Sequence, residues 1–139
     1  MIRVLVVDDR IDFRLAFCGL LEADPDLKVV SQAGSLAEAR TMLEGVDVAL
    51  LDRGLPDGDG LELMGPLREV NPGARVFVIS STAEMLHPKD AIEAGAEGVI
   101  DKLDPPEGCS GRYGVSEAGR VPKRPIHPSD ASRCVSQAA

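Results

Sequence analysis

A chain of 139 residues has room for one ordinary domain, and its 15 Lys and Arg against 23 Asp and Glu leave a net charge of −8. That size argues against a multidomain enzyme, and that charge would repel a phosphate backbone, so no direct nucleic-acid binding is expected of this chain. No apolar run approaches the roughly 20 residues that span a bilayer, and the first residues lack the basic start and small-residue cleavage site of a signal peptide, so the expectation is a cytoplasmic protein without a membrane partner. Three cysteines, Cys18, Cys109 and Cys134, are an odd number without metal-type spacing and indicate neither a disulfide framework nor a zinc site.

The predicted elements alternate. Val4-Leu5-Val6-Val7, Lys28-Val29-Val30, Val46 to Leu51, Val76-Phe77-Val78-Ile79 and Gly98-Val99-Ile100 are short, nearly continuous apolar runs, as expected of strands buried on both faces of a parallel sheet. Between the first two, Phe13, Phe17, Leu20 and Leu21 fall on one helical face, with Asp12 near the start. Leu36, Ala39 and Leu43 form a second stripe behind Ser35, which with Glu38 three residues on makes a capping-box pattern. Leu61, Met64 and Leu67 form a third, in which Pro66 would cost about 3 kcal/mol in a regular helix interior and predicts a short or kinked helix. A fourth helix is expected from Pro88 through Ile92 to a stop at Gly95. Strands and helices in this order predict an α/β fold, an open sheet with right-handed crossovers, helices on both faces and chemistry at the carboxyl ends of the strands.

Those ends carry Asp8-Asp9, Asp52, Ser80-Ser81 and Asp101-Lys102. Clustered carboxylates stay ionised most cheaply around a hard divalent cation with oxygen ligands, and Mg²⁺ is the usual occupant beside phosphate. One carboxylate can then attack phosphorus while the cation, a hydroxyl and an ammonium offset charge on the phosphoryl oxygens. Asp52 is the best nucleophile candidate, since it follows the most buried-looking strand and precedes Arg53-Gly54-Leu55-Pro56-Asp57-Gly58-Asp59-Gly60, a composition suited to a tight loop. Taken singly, each residue has a plainer reading: Asp8-Asp9 as a turn or cap, the serines as cap hydroxyls, Lys102 as a solvated charge, Asp57 and Asp59 as loop acids or caps. Four strand ends each supplying a residue type that one chemistry needs is what favours a site.

With these motifs in hand, residues 1 to about 107 resemble a bacterial response-regulator receiver domain, most closely those that precede a helix-turn-helix output domain. The resemblance rests on Val6-Val7-Asp8-Asp9, Leu50 to Gly60, Val78-Ile79-Ser80-Ser81, Ala94 to Gly98 and Lys102. It implies a flavodoxin-like, doubly wound five-stranded parallel sheet in the order 2-1-3-4-5. It further implies that Asp52 is phosphorylated by a sensor histidine kinase, and that Asp9, Asp52 and the Gly54 carbonyl bind Mg²⁺ directly and Asp8 through water. Ser80 would be the switch hydroxyl and Lys102 the ammonium that contacts the phosphoryl group. The function implied is a phosphorylation switch of a two-component system with limited self-catalysis rather than a dedicated enzyme, with a second copy of the chain as an optional partner. The alternative is a degenerate receiver that binds proteins independently of phosphorylation.

Four departures stand out. Val99 replaces an aromatic expected three residues before Lys102, Leu103 replaces a proline, Pro66 interrupts the third helix, and no fifth helix follows Glu107. Residues 108–139 are expected to be a low-complexity, disordered tail, because Gly, Pro and Ser fill 14 of the last 36 positions. One sheet face would then lack a cover; about 300 Å² of bare apolar surface corresponds to about 7 kcal/mol, the scale of a whole domain's stability. The abrupt end of the likeness suggests a frameshifted or truncated reading, the rivals being a substitute helix over 114–121 or a partner on the bare face.

Overall fold

The computed structural model describes residues 1–80, 93–101 and 130–138. Five strands, β1 (Ile2–Val7), β2 (Leu27–Ala33), β3 (Val48–Asp52), β4 (Arg75–Ser80) and β5 (Gly98–Asp101), form one sheet in the order 2-1-3-4-5. Every neighbouring pair is parallel, with Val7 opposite Leu51, Leu50 opposite Phe77 and Ile79 opposite Ile100. The alternating pattern predicts an open parallel sheet, and this order is the doubly wound one that the family resemblance implies.

Because side chains alternate along a strand, each strand feeds both faces. Leu5, Val7, Ala49, Leu51, Val76, Val78 and Val99 point to one face and Val4, Val6, Val48, Leu50, Phe77, Ile79 and Ile100 to the other. The first face is closed by α2 (Leu36–Arg40), a 3-10 turn (Gly60–Leu63) and α3 (Met64–Val70) through Leu36, Ala39, Leu63, Met64 and Leu67. The second is closed by α1 (Ile11–Glu22), whose Phe17, Cys18 and Leu21 are buried, and by α4 (Ala131–Ala138).

Helix α4 corrects the expectation of a disordered tail for these eight residues. Ala131, Cys134 and Val135 recur at i, i+3 and i+4, and all three are buried against the face that also holds Phe17, Cys18 and Ile100. A composition averaged over 36 residues hides so short a stripe. The substitute helix expected over 114–121, Cys109 and the domain boundary near 107 lie outside the described residues, as do residues 88–92 of the fourth predicted helix.

Two helices differ locally from their sequence patterns. Helix α2 ends at Arg40, so the buried Leu43 lies beyond it, and Glu38 accepts from the Gly34 amide while Ser35 Oγ accepts from the Glu38 amide at 3.2 Å. Leu61 lies not in the third helix but in a 3-10 turn, Gly60–Leu63, that leads into α3. Pro66 therefore falls in the first turn of α3, where a missing backbone donor costs little.

Candidate functional site

The parallel register sets the site. Val7 lies opposite Leu51, so the residues that follow, Asp8 and Asp52, leave the sheet side by side at its carboxyl edge. Asp8, Asp9 and Asp52 each place a carboxylate oxygen within 4.8 Å of the others. Asp8 and Asp52 are buried and Asp9 is exposed. Ser80, also buried, ends the next strand over, where the Ile79 carbonyl accepts a hydrogen bond from the Arg53 amide at 3.4 Å.

The two buried acids are fastened by hydrogen bonds to the backbone around them. The Asp8 amide donates to the Ala33 carbonyl at 3.0 Å, and its Oδ1 accepts from the Arg10 amide at 2.8 Å. Arg14, reaching from α1, donates Nη1 to the Asp8 carbonyl at 2.8 Å and Nε to Gln32 Oε1 at 3.3 Å, so one guanidinium spans the ends of β1 and β2. Asp52 Oδ1 accepts from the Gly54 amide at 3.0 Å. That bond turns the chain sharply after β3 and holds the carboxylate at the edge.

The loop after Asp52 is secured at three points. Asp59 caps the 3-10 turn in a reciprocal capping box with Glu62 and pairs with Arg53 at 3.1 Å. Asp57 reaches across to the start of α2, where Oδ1 accepts from the Leu36 amide at 2.8 Å and Oδ2 from the Ala37 amide at 3.0 Å. These two amides hold the Asp57 carboxyl below its ordinary value. Gly60 closes the loop by passing so near the Asp52 carbonyl that a Cβ would overlap its oxygen. Sequence patterns allowed Asp57 and Asp59 a capping role without showing which helix Asp57 serves, because its partners lie 21 and 20 residues away. Nothing in the local sequence marked Arg14 as a tie to Asp8.

The donor set suits a hard cation. Two buried carboxylates and a third beside them offer oxygen alone, with no His or Cys in the cluster, and mutual repulsion favours a divalent ion of the Mg²⁺ type. Asp8, Asp9, Asp52 and Ser80, expected at the site from sequence, thus stand together at the carboxyl edge. Gly54 is placed next to them by its bond to Asp52, while Ser81 and Lys102 lie outside the described residues. Among the described residues, no helix is long and apolar enough to cross a membrane.

Comparison with known proteins agrees with this geometry. The family model for the response regulator receiver domain matches residues 4–108. The DNA-binding transcriptional activator DevR/DosR of Mycobacterium tuberculosis is 42% identical over 104 residues, which is 73% of this chain and 48% of that protein. The transcriptional regulatory protein UhpA of Salmonella typhimurium is 37% identical over 109 residues, 77% of this chain and 54% of the relative. The chain therefore spans about half the length of these relatives. In fold it is similar to the REC domain of AraT, a response regulator from Geobacillus stearothermophilus, with a TM-score of 0.72 at 24% identity over 98% of this chain and 91% of the other.

Proposed function

We propose, for a chain that belongs to the receiver-domain family of two-component response regulators, that Asp52 accepts a phosphoryl group from the phosphohistidine of a sensor kinase and so switches the domain between two states. The observation that supports this most directly is the convergence of three carboxylates within 4.8 Å, two of them buried, beside a buried hydroxyl at the carboxyl edge of the sheet.

In the proposed reaction an Asp52 carboxylate oxygen attacks phosphorus, the bond from phosphorus to the donor nitrogen breaks, and its electron pair leaves with the imidazole. Asp8, Asp9, Asp52 and the Gly54 carbonyl would hold Mg²⁺, with Asp8 acting through water. When bound, Mg²⁺ offsets charge on the phosphoryl oxygens and on the acids that surround them. The Gly54 amide, 3.0 Å from Asp52 Oδ1, orients the attacking carboxylate. Ser80 would donate its hydroxyl to one phosphoryl oxygen and Lys102 its ammonium to another. Formation of the acyl phosphate then biases the surface near the fourth predicted helix and β5 toward a different partner. The kinase, a second copy of the chain and any output domain belong to this same proposal.

Intact mass after incubation with Mg²⁺ and acetyl phosphate tests it. One added phosphoryl group is expected, absent in Asp52→Ala and absent without metal. No adduct on folded protein would instead leave a binding module that works independently of phosphorylation.

A further inference from the structure

The loop that follows Asp52 is tied to the start of α2. Asp57 stands at the tip of the Leu55–Gly58 turn, in which the Gly58 amide donates to the Leu55 carbonyl at 3.3 Å. Both of its carboxylate oxygens are engaged by the first two amides of α2, at 2.8 and 3.0 Å. The same turn packs against α2 through apolar atoms. Leu55 and Leu36 are buried in one cluster, and a Cβ at Gly58 (φ +148°) would sit 2.6 Å from Leu36 Cδ1. At its other end, three residues before Asp57, the loop carries Gly54, whose amide holds Asp52 Oδ1.

Capping α2 does not by itself require Asp57. Ser35 Oγ already accepts from the Glu38 amide at 3.2 Å, in the ordinary N-cap position. Asp57 adds a tie between two segments 20 residues apart, and its side chain has solvent around it rather than a packed core. A bidentate bond to two adjacent amides fixes direction as well as distance. It therefore restrains the turn, and through it the backbone at Gly54, at the position where a metal-binding carbonyl and an attacking carboxylate need a fixed geometry.

We propose that Asp57 is a positioning residue for the phosphoacceptor site: its carboxylate braces the Gly54–Asp57 loop against α2 and thereby sets the affinity of the site for Mg²⁺ and the rate at which Asp52 is phosphorylated. The inference rests on the phosphoacceptor reading above and extends it to a residue outside the reacting group. Asp57 touches neither metal nor phosphoryl group; it acts through the loop.

The test uses the full chain and two substitutions at the same end of α2. Asp57→Ala removes the brace, whereas Ser35→Ala removes the local cap and leaves the loop tie in place. Circular dichroism establishes that each variant is folded, Mg²⁺ titration of the unphosphorylated protein is followed by amide NMR shifts, and acetyl phosphate supplies the phosphorylation rate. We expect Asp57→Ala to weaken Mg²⁺ binding and slow phosphorylation by about tenfold, the lower end of the range for residues that orient a metal's ligands, with Ser35→Ala close to wild type. Asp57→Asn, which retains one acceptor oxygen, should fall between. Unchanged Mg²⁺ affinity in Asp57→Ala, or an equal loss in Ser35→Ala, would overturn the proposal, the second because α2 stability alone would then account for the effect. If the wild type binds Mg²⁺ but takes no phosphoryl group while Asp57→Ala still weakens the metal, the brace stands and the phosphoacceptor reading fails. A wild-type chain that binds no Mg²⁺ overturns both.

Discussion

The two faces of the sheet are closed by different means. On the first, the cover comes from α2, the 3-10 turn and α3, all joined to the strands by short connections, and Leu36, Leu63 and Leu67 supply large buried side chains. On the second, α1 is joined directly to β1, but its neighbour α4 begins 30 residues after β5 ends and contributes Ala131, Cys134 and Val135, all small. Among the described residues, the second face also holds two thiols, Cys18 and Cys134, where the first cluster has none. Equal burial thus conceals unequal contributions: the first face is anchored by large leucines from each of its helical covers, the second is anchored by Phe17 and Leu21 of α1 alone and completed by a short helix that adds little apolar volume.

This contrast predicts a gradient of effects. Leu67→Ala opens a cavity on the first face and should lower stability by about 3 kcal/mol in chemical denaturation. Val135→Ala, deleting the equivalent of two methylenes from α4, should cost about 1.5 kcal/mol by the same method. If the two losses were equal, the faces would not differ as described. The smallest effect is the pH dependence contributed by the second face. Burial first, then the nearby Glu22 carboxylate, push the Cys18 thiol up to about 11 from 9.0, and burial raises Cys134 as well. The folded state therefore holds a proton that the unfolded chain releases, so stability is full below about pH 9 and falls as pH rises toward about 11. Denaturation midpoints measured across that window should decline less in Cys18→Ala than in wild type.

The same contrast explains what was legible in the sequence. Strands buried on both faces announce themselves as runs such as Val76-Phe77-Val78-Ile79, and alternation with helices indicates an open parallel sheet, whereas the strand order comes only from the family resemblance. The acids and Ser80 were legible because each directly follows or ends such a run. Helix α4 was not, because its stripe is only three small residues in a stretch rich in Gly, Pro and Ser, and its meaning depends on an apolar face far away in sequence. Asp57 was ambiguous for a related reason: a carboxylate in a Gly-rich loop caps something, but its target, the amides of Leu36 and Ala37, is chosen by the tertiary fold. Helix boundaries shifted where a local rule had two outcomes, as at Pro66, which admits either a kink or a helix that starts beside it.

The central claim is that Asp52, rather than its neighbours Asp8 and Asp9, is the acid that carries phosphate. Borohydride reduction converts an aspartyl phosphate to homoserine, so protein treated with Mg²⁺ and acetyl phosphate, reduced and mapped by peptide mass spectrometry, reports the position of the label. The account predicts homoserine at position 52 alone. Homoserine at position 8 or 9, or none anywhere in folded protein, would contradict it.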